Sequence, residues 1–106
     1  MGSLAMPKRR KPKTGEVYLL KSDQDVYKYG CSQNFKDRIK AINYRYKEFG
    51  HFDLLFKMKS KDIYKHENHF RWFLHNNHIP IQRECFPDWV PEYAMIEKMK
   101  QIIREI

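Results

Sequence analysis

Two short runs rich in β-branched and aromatic residues, Gly15 to Lys21 and Val26 to Cys31, are separated only by Ser22-Asp23-Gln24-Asp25. A link that short, built from turn-forming residues, makes the two runs the strands of an antiparallel hairpin. If Leu20 faces Val26, then Tyr18 faces Lys28 and the two share one face of the sheet. A slip of one residue would put them on opposite faces.

The rest of the chain reads as cover for that hairpin. Asn34 offers a helix N-cap and Gly50 a stop, and between them Phe35, Ile39, Ile42 and Tyr46 recur at spacings of four, three and four. Phe52 to Met58 reads as a third strand. Ser60 can cap the next helix, whose stripe is Ile63, Glu67, Phe70 and Leu74, ended by Asn76-Asn77. Ile79 to Phe86 is extended or irregular. Pro91 suits the first turn of a last helix carrying Met95, Ile96, Met99, Ile102, Ile103 and Ile106. The expected fold is α+β: a small three-stranded antiparallel sheet flanked by helices, in the order β-β-α-β-α plus a C-terminal helix.

With 106 residues the chain suits one domain. Met1 to Ala5 reads as an expression scar, and residues 1–13 as a disordered basic tail. Twenty-one Lys and Arg against thirteen Asp and Glu leave a charge of +8. A regular array of negative charge is the natural partner and nucleic acid fits it best, gripped by Lys8, Arg9, Arg10 and Lys11 of the tail and by Lys40 and Arg45 of the first helix. No apolar run approaches the roughly 20 residues needed to span a bilayer, and no membrane partner is expected. Two cysteines, Cys31 and Cys85, make no disulfide framework and suit a reducing, intracellular compartment. The wide apolar face of the last helix either covers the domain's own core or offers a homodimer surface.

Several side chains ask for a chemical reason. Glu67 occupies a position in an apolar stripe, where a carboxylate is costly unless paired, protonated or bound to metal. It either holds a divalent ion at the mouth of a cleft or lies at the wet edge of the stripe. Arg38 borders the apolar face of its helix, as a snorkelling surface arginine or as a bidentate phosphate clamp. Lys28 beside Tyr18 would favour the phenolate and draw the phenol below its usual value of about 10. His66, His69, His75 and His78 crowd one region, but no pair has the spacing of a structural zinc site.

In this order the residues resemble the GIY-YIG nuclease superfamily, in particular its phage- and large-DNA-virus-associated branch. The resemblance covers roughly Gly15 to Trp89. The first motif falls on Glu16-Val17-Tyr18 and the second on Lys28-Tyr29-Gly30, followed by Cys31-Ser32. The helix arginine matches Arg38, the metal-binding glutamate matches Glu67, and Arg83-Glu84-Cys85-Phe86 resembles an Arg-Glu-Trp-Phe element that closes domains of this branch. Lys28 stands where the family has a tyrosine, Ile42 where a histidine is often found, and Glu16 where the first glycine would be.

The resemblance implies that residues 14–106 form a nuclease domain that hydrolyses DNA phosphodiester bonds, with Tyr18, Lys28, Tyr29, Arg38 and Glu67 as catalytic residues. Tyr18 would orient or deprotonate water, Arg38 would stabilise phosphorane-like charge, and Glu67 would hold one Mg²⁺ or Mn²⁺. The alternative is a catalytically inactive nucleic-acid-binding module of the same fold.

Overall fold

The computed structural model describes residues 11–106. Its elements are β1 (Gly15–Ser22), β2 (Val26–Ser32), α1 (Phe35–Arg45), a 3₁₀ turn (Lys47–Phe49), β3 (Phe52–Ser60), α2 (Ile63–Asn76), β4 (Cys85–Pro87) and α3 (Glu92–Glu105). The fold is α+β, as expected, but the antiparallel sheet has four strands in the order β3-β1-β2-β4. The added strand is only three residues long, too short to stand out from an irregular segment as a periodic signal.

The hairpin forms, with its register two residues from the expected one. Tyr18 pairs with Gly30 and Leu20 with Lys28. The turn sets this. Asp25 takes φ +59°, and Ser22 Oγ accepts from Gln24 N at 3.1 Å and Val26 N at 3.2 Å. Asp23, Gln24 and Asp25 thus make a three-residue loop ending in a left-handed residue, a common hairpin link. A shift of two preserves parity, so Tyr18, Leu20 and Lys28 still face the same side.

That side packs Tyr18, Leu20, Phe52 and Cys85 against Ile42 of α1. The other side packs Val17, Leu19, Tyr27 and Tyr29 against Ile63, Phe70 and Leu74 of α2 and Met95, Met99 and Ile102 of α3. With both faces covered, the central run Val17-Tyr18-Leu19-Leu20 is buried throughout. The apolar face of α3 therefore lies largely against the domain's own core. No helix among the described residues is long and apolar enough to cross a membrane.

Helix α2 departs from the expected pattern at both its cap and its stripe. Asp62, not Ser60, is the N-cap, its carboxylate accepting from Lys65 N at 3.3 Å. The buried positions are Ile63, His66, Phe70 and Leu74. His66 holds the place expected for Glu67, which flanks the stripe half-buried. The imidazole tolerates burial because its Nδ1 lies 2.6 Å from Ser60 Oγ.

Burial lowers the His66 pKa below its usual value of 6.5. The unfolded chain takes up a proton near 6.5 while the folded chain resists it. Stability therefore falls as pH drops from about 6.5 toward the depressed folded value, with a slope of at most ~1.4 kcal/mol per pH unit. Urea midpoints across pH 5–7 are expected to show this dependence in the parent protein and to lose that share of it in His66→Gln. Parallel pH profiles would refute the assignment.

Candidate functional site

Strand β4 covers only Val26 to Lys28 of β2. The edge of β2 beyond it, from Gly30 to Ser32, has no strand beside it among the described residues, so side chains from both faces of the sheet can meet there. A cleft of about 290 Å³ opens at this edge, and Tyr18, Cys31, Arg38, Tyr64, Glu67 and Glu84 are among its walls. A narrow extension of about 40 Å³ shares Tyr18, Arg38 and Glu84 and adds Lys28, Arg45 and Tyr46.

Gly30 makes the arrangement possible. The Tyr18 ring lies across its Cα, and a Cβ there would stand 2.6 Å from Cζ and 2.8 Å from Cε1 of the ring. Phe35 meets the same ring edge-on, with centroids 5.4 Å apart. Burial raises the phenol pKa, Arg38 opposes the shift, and Glu84, Cys31 and Glu67 add to it. The expected lowering by Lys28 is therefore overturned, because lost hydration outweighs the opposing charge of Arg38 and the Lys28 ammonium is paired with Glu84.

Lys28 is turned away from that task. Its side chain is 2% exposed, and its ammonium lies 2.8 Å from a Glu84 carboxylate oxygen and 4.4 Å from the Tyr46 ring centroid. Glu84 sits in an unusual place. It and Arg83 are consecutive left-handed residues, φ +66° and +51°, at the centre of a two-residue turn closed by reciprocal 2.8 Å bonds between Gln82 and Cys85. Such turns favour Asn-Gly, and other residues there store strain of about 1–3 kcal/mol each. Contacts on every side hold the turn. Tyr29 N donates to the Glu84 carbonyl at 3.2 Å, and the Arg83 guanidinium pairs with Glu48 over the Tyr46 ring.

The Lys28–Glu84 pair is asymmetric. Glu84→Ala strands an ammonium inside the protein and is expected to destabilise by up to about 3–5 kcal/mol. That figure is reduced by the 41% exposure of Glu84, which lets water approach. Lys28→Met leaves a carboxylate that water already reaches, and the effect is expected to be smaller. Denaturant unfolding of both variants checks the order, and the reverse order would contradict it.

Glu67 stands on α2 across the cleft from Arg38. Burial raises its carboxyl pKa. A hydrogen bond from the Cys31 thiol opposes this, Glu84 reinforces it, and Lys28 opposes it. Burial likewise raises the Cys31 thiol, with the bond to Glu67 adding to the shift. Arg38 and Arg45 are exposed and form no ion pair among the described residues. They lie seven residues apart, two turns along one face of α1, and both line the narrow extension.

The structure thus brings Tyr18, Lys28, Arg38, Arg45 and Glu67 to one region and leaves other expected residues outside it. Tyr29 alternates to the opposite face from Lys28 and packs on Phe70, with centroids 5.7 Å apart. Burial pushes its phenol up to about 12. Lys40 is exposed on α1, about 200° around the helix from Arg38, and does not line the cleft. Lys11 is exposed and belongs to no element. Lys8, Arg9 and Arg10 lie outside the described residues. Sequence reasoning assigned no role to Glu84 or to the Cys31 thiol. The one signal was the Arg83-Glu84-Cys85-Phe86 element, which marks a segment but not which side chain faces the cleft.

A family model described as the T5orf172 domain matches residues 15–106. No curated protein and no solved structure matches the chain.

Proposed function

This chain belongs to the T5orf172 domain family, and on that premise we propose that it is a metal-dependent DNA endonuclease of the GIY-YIG type. The family is associated with phage proteins and GIY-YIG-like, homing-endonuclease-type proteins, which supports a nuclease or nucleic-acid-binding role. One observation carries the finer reading. A phenol from β1, a guanidinium from α1 that forms no ion pair among the described residues, and a half-buried carboxylate from α2 converge on one cleft at the edge of β2.

The walls suit a hard divalent cation. Glu67 offers an anionic oxygen, Glu84 lines the same cleft, and the space admits waters and phosphate oxygens. Such an ion, Mg²⁺ or Mn²⁺, one per site, would be held by Glu67 and would supply Lewis-acid stabilisation of charge on the leaving oxygen. Arg38 donates to non-bridging phosphate oxygens and neutralises the charge that grows there in the transition state. Tyr18, kept protonated by burial, orients the attacking water by accepting a hydrogen bond from it. As the water oxygen bonds to phosphorus and the bond to the leaving oxygen breaks, the water's proton passes to bulk solvent and the leaving oxygen takes one from solvent. Arg45 and the +8 charge hold the DNA backbone.

A second reading, a catalytically inactive nucleic-acid-binding module, draws support from Lys28, whose ammonium is capped by Glu84 instead of facing the cleft. Incubation with supercoiled, linear and branched DNA, in Mg²⁺ or Mn²⁺ against chelator, separates the two. Metal-dependent nicking is expected. Binding without nicking on any substrate would favour the module.

A further inference from the structure

Helix α2 has a second chemical face, turned away from the core. Trp72 is 59% exposed there, although the same helix buries Phe70 and Leu74. A single exposed indole needs no explanation, but this one has particular surroundings. It lies where three shallow grooves of about 420, 300 and 500 Å³ meet. Their cationic walls are Arg71, Lys98 and Lys65, joined by His75 and His69; among the described residues no Asp or Glu side chain lines any of them, and the chain's last residue, Ile106, borders the groove beside Lys98. Lys65 and Arg71 form no ion pair among the described residues.

We propose that the Trp72 face is a binding site for an unpaired nucleic-acid strand, with the indole as a platform for one base and Arg71 and Lys65 as phosphate contacts. The chemistry selects this occupant. Flat aromatic area flanked by free cations matches a polyanion carrying exposed base faces. In a duplex those faces are stacked on one another, so an indole gains nothing from them. Arg71 stands one turn beyond Glu67 on α2. Trp72 lies five residues beyond Glu67 and about 140° further around the helix, so its face is separate from the cleft. Arg71, about 40° around the helix from Glu67 and about 100° from Trp72, stands between the two faces.

The site rests on the proposed nucleic-acid function and narrows it to DNA that carries a single-stranded segment. Binding is therefore measured in chelator, where cleavage plays no part. Fluorescently labelled single-stranded and blunt duplex oligonucleotides are titrated with the parent protein, Trp72→Ala and Trp72→Phe. Trp72→Ala is expected to weaken single-strand binding about 5- to 100-fold, to change duplex binding less than about twofold, and Trp72→Phe is expected to recover most of the loss. If Trp72→Ala folds poorly, quenching of indole emission by the single strand in Trp89→Phe, where Trp72 is the sole tryptophan, gives the same answer.

Equal losses on both oligonucleotides, or no quenching, would overturn the site. So would Trp72-dependent binding to vesicles containing phosphatidylserine without a single-strand effect, or Trp72-dependent dimerisation in sedimentation. Metal-dependent nicking together with unweakened single-strand binding by Trp72→Ala would leave the nuclease standing and remove this site alone.

Discussion

Glu67→Ala is expected to abolish metal-dependent nicking of plasmid DNA, a loss of at least about a hundredfold, while affinity for duplex DNA in chelator changes by less than about twofold. Affinity resides in the cations that meet phosphates, and Glu67 contributes none. The variant should fold at least as well as the parent, because burial already disfavours the Glu67 carboxylate. Its folded pKa lies above the usual 4.5, so its contribution to stability is fully present below 4.5 and is lost as pH rises through the folded value. Removing the carboxyl removes that loss. A thermal melt of Glu67→Gln at pH 7 is therefore expected at or above the parent's, and activity and stability separate in the direction typical of functional carboxylates. Undiminished cleavage by Glu67→Ala would sink the assignment of Glu67 to the metal.

Gly30→Ala carries the second large effect, with no charge changed. The new methyl would stand 2.6 Å from Tyr18 Cζ, so the ring must leave its seat across β2. Overpacking of this kind destabilises by about 1–3 kcal/mol. A catalytic group misplaced by ~1 Å loses on the order of a hundredfold in rate. The cause is identified by a double-mutant cycle with Tyr18→Ala. With the ring gone, Gly30→Ala should be close to neutral in denaturant unfolding. Equal destabilisation in both backgrounds would show that the glycine answers to its backbone and not to the ring. Tyr18→Phe completes the set, since it keeps the packing and removes only the hydroxyl.

The elements themselves were legible because their signals are local. Asn34 caps α1, with its side chain accepting from Asp37 N at 3.3 Å, and Gly50 takes φ +95° just past the 3₁₀ turn. Both functions follow from what those side chains can do alone. The expected α2 stripe included Glu67 because positions three and four apart cannot be told from one another by spacing alone. What places His66 inside is Ser60, six residues earlier and on another element. The short strand β4 and the Arg83-Glu84 turn carried no propensity signal. Their backbone conformation is held by partners from β2, the 3₁₀ turn and Tyr46.

By itself, the sequence determined a basic α+β domain with a hairpin and two following helices, and the family resemblance marked Tyr18, Lys28, Tyr29, Arg38 and Glu67 on them as expected catalytic residues. Hydrogen bonding and periodicity within a dozen residues are enough for the elements. Only the tertiary structure decided that Tyr18, Arg38 and Glu67 meet at one edge of β2, that Tyr29 belongs to the core, and that Lys28 faces Glu84. It also decided the state of the phenol. A pKa follows the balance between lost hydration and the charges that surround a group, and that balance exists only once distant segments have packed.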